Sequence, residues 1–229
     1  NGGAVTYPHT YKMYCHREPR FYVAVSFHNS YFTQEERTFN FFNGGADNIH
    51  THDAPQNGYL LRKKVHPKTN VKEGNFQYRP GVLYRLGEAY LNYAEALNEC
   101  DPGNAEILTY LNKIRQRAGV RTYTTGATNS AEIHVDMAQD AMRETIRRER
   151  RVELCCEGLR YDDLRRWKQA ETVLNGPQYG MNFSGKDETN FFQLTAYQTR
   201  VYRQSYYWFP IHQNQMDKNA KLVQTPFWK

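Results

Sequence analysis

Apolar residues in the middle of the chain recur at steps of three and four, the spacing of an amphipathic helix. The first such stripe consists of Leu83, Leu86, Tyr90, Tyr93, Ala94 and Leu97. Residues 101–104 form a turn, and a second stripe over 107–118 ends at Gly119. The pattern predicts a helix hairpin of roughly 35 residues, the length of one tetratricopeptide unit.

A second helix pair is predicted over residues 131–158 and 161–174. Residues 1–81 show a different pattern. Every second residue over 21–27 is a large apolar one, which predicts a strand, and further extended runs and loops follow. Residues 175–229 are rich in Gly, Asn and aromatic residues and predict loops. We therefore expect a mainly α fold, with tetratricopeptide-like hairpins carrying long loops and a few short strands.

Composition limits the classes of function. The net charge is +6, hydrophobic residues make up 39% of the chain, and no apolar run is long enough to cross a membrane. The four cysteines show no paired spacing, so buried free thiols are expected rather than disulfides or a metal site. Phosphate-loop, nucleophile-elbow and zinc-protease motifs are absent from the sequence, which makes an enzyme or a nucleotide cofactor a weak hypothesis.

Residues 149–167 are the most distinctive stretch. Glu149, Glu153 and Glu157 share a helical face, and like charges at this spacing repel unless cations answer them. A nucleic-acid surface or a hydrolytic carboxylate pair fits poorly, because acids and arginines are mixed and pairing would keep the acids ionised. We predict a structural ion-pair network formed by Glu149, Arg150, Arg151, Glu153, Glu157, Arg160, Asp163 and Arg166.

The sequence contains 18 Tyr and 12 Phe, many of them outside the helical stripes. Most are expected to pack in the core, but a few rings beside polar side chains would form a platform for a sugar ring. The candidate ligand contacts are Tyr7, Tyr31, Phe41, Asn48, His52 and Asp53. His50 and His52 also suggest a metal, but too few further ligands lie nearby, so a solvated or ligand-contacting loop is favoured.

Several motifs together resemble the SusD/RagB family. Residues 149–167 follow the family's E-R-R-x-E-L-x-x-E-G-x-R-x-x-D-L-x-R-W pattern, and residues 84–99 and 111–120 are similar to its helix hairpin. Residues 17–21 and 57–63 resemble its D-P-R-F and G-Y-x-x-R-K elements, and 209–211 with 224–228 its closing segments. The sequence departs from the family's closing motifs at His212, Thr225 and Phe227, which are packing positions.

The resemblance implies a non-enzymatic lipoprotein on the outer face of the outer membrane. Such a protein binds glycans, or peptides in some members, for a SusC-like TonB-dependent transporter. It also implies that residues 1–81, 82–174 and 175–229 belong to one domain and that an N-terminal half precedes them. Four hypotheses follow: a glycan-binding subunit, a peptide-binding subunit, a structural helical-repeat adaptor and, least favoured, a glycoside hydrolase.

Overall fold

The computed structural model describes residues 10–48 and 55–228. Within them the protein is mainly helical, with short strands, as the sequence predicts. The helices are α1 (Pro19–Ala24), α2 (Leu86–Cys100), α3 (Glu106–Arg117), α4 (Gln139–Glu153), α5 (Arg160–Arg166), α6 (Ala170–Val173), α7 (Glu188–Phe191) and α8 (Gln213–Lys218). The strands are β1 (Val25–Phe27), β2 (Tyr31–Phe32), β3 (Arg37–Thr38), β4 (Tyr59–Leu61), β5 (Thr122–Thr124), β6 (Glu132–His134), β7 (Gly176–Met181) and β8 (Leu194–Arg200).

The helical core is formed by α2, α3 and α4. Ile107, Leu111 and Ile114 of α3 are buried, as their stripe predicts, and they pack against Leu91 of α2 and Ile146 of α4. Gly119 ends the second helix of this hairpin in the left-handed conformation that favours glycine.

The start of α2 differs from the prediction. The apolar stripe predicts a helix from residue 82, but α2 begins at Leu86, and Leu83 is exposed. Arg85 has an extended backbone, and its side chain binds Glu153 and Glu157 just before the helix begins. The helix therefore begins directly after Arg85, the residue that forms these ion pairs.

The prediction of one strand over residues 21–27 is wrong for its first part. Residues up to Ala24 belong to α1, whose first residue is Pro19, a favoured first helical position. Only β1 follows the alternating pattern, and it pairs antiparallel with β4. A short apolar run cannot by itself distinguish a buried helix turn from a strand.

Strand pairing occurs where the sequence predicts loops or helix. β7 and β8 form an antiparallel hairpin in the predicted C-terminal loops, and β5 and β6 pair in parallel between α3 and α4. The helix predicted over 131–158 is therefore wrong at both ends, because β6 occupies Glu132–His134 and α4 covers only Gln139–Glu153. The single helix predicted over 161–174 is interrupted at Lys168, whose φ is +57°, so it is present as α5 and α6. All four cysteines are free as predicted, but none is fully buried.

A second core lies in the loop layer. Phe39, Phe41, Met181 and Phe191 are buried there, so the N-terminal loops pack against the β7–β8 region rather than lying free on the surface. This layer and the helical core meet where α1 approaches the end of α4.

Candidate functional site

Two glutamates on one face of α4 are buried where α1 and α3 approach that helix. Glu149 and Glu153 are one helical turn apart, and their side chains are only 3% and 1% exposed. Buried carboxylates are costly unless they are paired with cations and hydrogen-bonded. The sequence puts both acids on an inward face, so their partners have to come from other elements.

Glu149 is held from both layers of the fold. Arg20 of α1 donates to its Oε1 through Nη1 over 2.6 Å, and Arg115 of α3 forms an ion pair with its Oε2. The Tyr123 hydroxyl donates to the same Oε2 over 2.9 Å. Burial, with the adjacent Glu149 charge, raises the pKa of Tyr123, so the phenol remains a proton donor to the carboxylate.

Glu153 and Glu157 share their cations. Arg85 reaches Glu153 with Nη1 over 2.7 Å and Glu157 with Nη2 over 2.7 Å, and Arg20 and Arg117 also bind Glu153. Lys63 pairs with Glu157 over 2.6 Å. Burial by itself raises the pKa of Glu157, but hydrogen bonds from Arg85 and Lys63 more than offset it and hold the pKa below its usual value.

Asp163 extends the network to α5. Arg150 binds it through Nε over 2.7 Å, and Arg166 approaches its other oxygen within 3.0 Å. Arg166 also pairs with Glu95 of α2, so this branch joins three helices.

Two residues of the predicted network stand outside it. Arg151 is exposed and forms no ion pair with any residue in the described ranges. Arg160 likewise has no carboxylate partner within the described part of the chain; its guanidinium lies 5.9 Å from the centre of the Trp167 ring. The prediction is wrong for these two residues, because a sequence pattern of acids and arginines does not show in which direction each side chain points. The other six predicted residues are paired as described.

The arrangement of this cluster suits a structural role, which is to hold neighbouring elements together. Each buried carboxylate accepts charge-assisted hydrogen bonds from guanidinium groups that come from other elements of the fold. Sequence reasoning does not assign the distant partners to the network, although all but Tyr123 lie in segments that resemble motifs of the family. The distant partners are Arg20, Lys63, Arg85, Arg115, Arg117 and Tyr123.

The predicted ligand contacts are not all at the surface. Tyr31 is 38% exposed on β2, whereas Phe41 is fully buried. Asn48 is also buried, and its Nδ2 donates to the carbonyls of Phe41 and Phe183 over 2.9 and 2.7 Å. Phe41 and Asn48 therefore hold the loop layer together and do not present the surface contacts predicted for them. The other candidates, Tyr7, His52 and Asp53, lie outside the described residues.

Several contacts hold the hairpin that carries Tyr31 in place. Tyr31 pairs with Thr38 in the β2–β3 hairpin. Arg37 of the same hairpin binds both carboxylate oxygens of Asp47 over 2.6 and 2.8 Å and lies over the Phe32 ring. A two-bond pair of this kind fixes a loop in both position and direction.

Stacked rings lie elsewhere in the loop layer. Tyr11 stacks on Phe192 with ring centres 3.9 Å apart, and His28 stacks on Phe42 at the same distance. Burial lowers the pKa of His28, which favours a neutral ring in this stack. Tyr11 is 41% exposed and borders a depression of about 390 Å³ with Lys12 and Glu188. The layer thus presents flat rings beside polar groups.

The sequence that forms the ion-pair network and the loop layer matches that of a known protein family. A model of the SusD family matches residues 2–228. The chain belongs to the SusD family. "SusD-like protein P2" of Formosa agariphila is 34% identical over 116 residues, which is 50% of this chain and 22% of that protein.

Solved SusD-family structures share the fold. BT4246, in its selenomethionine form, is 24% identical over 99% of the chain with a TM-score of 0.82. A SusD-like protein of Bacteroides fragilis, BF3747, is 27% identical over 94% with a TM-score of 0.74. The SusD-like carbohydrate-binding protein BF0978 of the same species is 23% identical over 90%, with a TM-score of 0.68. The chain spans only 41%, 40% and 42% of these proteins' lengths.

Membrane-spanning and metal-binding features are absent from the described part of this SusD-family chain. Among the described residues, no helix combines the length and the apolar character that crossing a bilayer needs. The same residues contain no group of three or more His, Cys, Asp or Glu side chains placed to hold a metal ion. His50 and His52, the pair that suggests a metal in the sequence, lie outside the described ranges.

Proposed function

We propose that this chain is part of a glycan-binding subunit at the outer-membrane surface, which delivers oligosaccharide to a SusC-like TonB-dependent transporter. The observation that carries the proposal is the SusD-family match over residues 2–228. It is supported by BF0978, a protein of the same fold that is described as carbohydrate-binding. The lipid anchor and the transporter contact belong to the proposal for the whole protein.

The loop layer offers suitable chemistry for such a ligand. The apolar face of a pyranose packs on an aromatic ring, and its hydroxyl groups bind polar side chains nearby. Tyr31 is exposed on the hairpin that Arg37 and Asp47 hold in place. A ring on a fixed support loses little conformational freedom when it binds, which favours affinity. Tyr31 is therefore the described residue that we assign to sugar stacking, beside the predicted contacts Tyr7, His52 and Asp53.

Calorimetry against a panel of neutral and acidic oligosaccharides tests the proposal. We expect at least one glycan to bind, and Tyr31→Ala to weaken its binding by about tenfold, the equivalent of about 1.4 kcal/mol from a lost ring contact. Tyr179→Ala is the matched control, because Tyr179 is also an exposed tyrosine but lies on β7. It should bind the glycan as the unchanged protein does.

Two results would contradict the proposal in different ways. Binding of peptides with no binding of any glycan would favour a peptide-binding subunit. Binding of a glycan that is equally tight in Tyr31→Ala would keep the function but move the site away from β2.

A further inference from the structure

Two adjacent cysteines lie in the turn that connects α4 to α5. Helix α4 ends at Glu153, so Cys155 and Cys156 lie outside the regular helix that the sequence predicts for them. Cys156 has a φ of +62°, in the left-handed region, so the chain leaves the helical path at this point. Cys156 is exposed, Cys155 is half-buried, and both thiols are free. The sulfurs are therefore available to a ligand.

The two sulfurs lie side by side. A side-chain hydrogen bond joins the thiols of Cys155 and Cys156. Burial raises the pKa of the Cys155 thiol, and the neighbouring Cys156 adds to this effect. The thiolate is the form that attacks a disulfide, so a raised pKa slows the oxidation of Cys155 by thiol–disulfide exchange. The structure thus favours a pair of protonated thiols over a redox-active pair.

A direct bond between these two sulfurs is also disfavoured by the backbone. The peptide bond between Cys155 and Cys156 is trans, which sets their Cα atoms about 3.8 Å apart. A disulfide usually needs a Cα separation of at least about 4.4 Å. An atom inserted between the sulfurs removes this constraint, because each sulfur then bonds to that atom and not to the other sulfur. The geometry therefore favours a bridging ion.

The turn that carries the pair is held in place by several contacts. Lys63 Nζ donates to the carbonyls of Glu153 and Cys155 over 2.8 and 3.1 Å and pairs with Glu157 over 2.6 Å. The Glu157 amide donates to the Leu154 carbonyl over 3.2 Å. Ligands on a fixed support lose little conformational freedom when they bind, which favours affinity.

The number and the softness of the ligands select the ion. Thiolate sulfur is a soft ligand, which favours monovalent copper and zinc over harder cations. A structural zinc ion requires four ligands, but the described residues place no further His, Cys, Asp or Glu side chain with this pair to complete a metal site. Monovalent copper is satisfied by two sulfurs in a linear arrangement. The pair therefore fits a monovalent soft cation better than it fits zinc.

The surroundings complement the charge of such a complex. A monovalent cation bound by two thiolates carries one net negative charge. Cys155 lines a cavity of about 740 Å³, which gives an ion a route to its sulfur. The charged lining of this cavity comprises Arg20, Lys63, Lys64, Arg79, Arg85 and Arg117, against Glu88, Glu153 and Glu157. This excess of positive charge stabilises an anionic complex beside the turn.

We propose that Cys155 and Cys156 together bind one soft, thiophilic cation of the monovalent copper class between their sulfurs. Binding forms two copper–sulfur bonds and breaks two S–H bonds, whose protons pass to water, and no atom changes its oxidation state. This inference does not depend on glycan binding, so either can fail without the other.

Titration with monovalent copper tests the site in the full-length protein, kept reduced and free of oxygen. Copper is supplied as its acetonitrile complex, and bicinchoninate, a chelator that is coloured when it holds monovalent copper, competes for the ion. The loss of this colour measures the affinity of the protein. Cys155→Ser and Cys156→Ser each remove one sulfur of the pair. Cys15→Ser and Cys100→Ser are the matched controls, because Cys15 is half-buried and Cys100 is exposed, but neither has an adjacent cysteine.

We expect Cys155→Ser and Cys156→Ser each to weaken copper binding by about a hundredfold, because the second sulfur binds at the high effective concentration that the turn provides. The two control variants should bind copper as the unchanged protein does. X-ray absorption at the copper edge of the unchanged protein, which requires no variant to fold, should show two sulfur neighbours. Unchanged affinity in either pair variant, an equal loss in the controls, or any other number of sulfur neighbours would overturn the proposal.

Discussion

Glu149 shows how a single buried charge can be tolerated. Its carboxylate is bound by two arginines and a tyrosine hydroxyl, and each comes from a different part of the chain. A buried ion pair adds little stability over well-packed apolar residues, but loss of one partner leaves the others uncompensated. Glu149 therefore connects α1 and α3 to α4 and depends on these partners for its burial.

We predict that Glu149→Gln lowers the free energy of unfolding by about 3 kcal/mol, because Arg20 and Arg115 lose their buried counter-charge. Urea unfolding followed by circular dichroism measures the change. Glu144→Gln on the same helix is the matched control, since Glu144 is 61% exposed and pairs with Arg147 at the surface. It should change stability by less than about 1 kcal/mol. Equal losses in the two variants would refute the central role of Glu149.

Residue roles can be predicted from sequence only where the pattern is local. The spacing of Glu149, Glu153 and Glu157 identifies a charged face that needs cations. It does not identify Arg20, which lies 129 positions before Glu149. The burial of Phe41 is equally hidden in the sequence, because aromatic residues serve both cores and ligand platforms.

At the scale of elements, the predictions are best for long periodic helices. The buried positions of α3 follow their stripe, whereas the β7–β8 hairpin falls in a segment whose Gly, Pro and Asn residues suggest a loop. Helix α1 also escapes prediction, since six residues are too few to show a period. Short elements depend on their packing partners, which lie far away in sequence.

The turn between α4 and α5 depends on the backbone of Gly158. Its φ is +93°, a conformation that side chains with a Cβ rarely adopt, although a Cβ at this position would meet no atom within 4 Å. We predict that Gly158→Ala destabilises the protein by about 1 kcal/mol through backbone strain alone. Differential scanning calorimetry measures this as a lower Tm.

Gly81→Ala is the control for the Gly158 prediction. A Cβ at Gly81 also meets open space, but its φ lies outside the left-handed region, so its Tm should not fall. A similar fall in both variants would show that the conformation of Gly158 is not the cause.

At the scale of the whole molecule, ion pairs join parts that are distant in sequence. Lys63 and Arg85 bind Glu157, and Lys72 binds Glu35 in the loop layer. Glu35 also has a local partner, Arg37. Hydrogen bonds from Lys72 and Arg37 hold the pKa of Glu35 below its usual value. Arg85 and Lys63 do the same for Glu157 against the opposing effect of burial.

These lowered pKa values predict the direction of acid unfolding. A carboxyl group whose pKa is lower in the folded state stabilises the fold above its unfolded pKa, and this contribution is lost as pH falls through the folded value. The free energy of unfolding should therefore fall as the pH drops below about 4.5, the ordinary value for Glu157 and Glu35. Glu157→Gln should show a shallower fall in urea titrations between pH 7 and pH 3. An unchanged slope in that variant would contradict the assignment.

The origin of the cations has a consequence for how such a protein can be divided by recombination. The helices from Leu86 onward carry Glu149, Glu153 and Glu157, but Arg20, Lys63 and Arg85 precede them. A gene rearrangement that inherited the helical hairpins without the preceding loops would bring along buried acids stripped of these counter-ions. Because these counter-ions come from the preceding part of the chain, we expect recombination that yields a stable protein to keep loops and helices together.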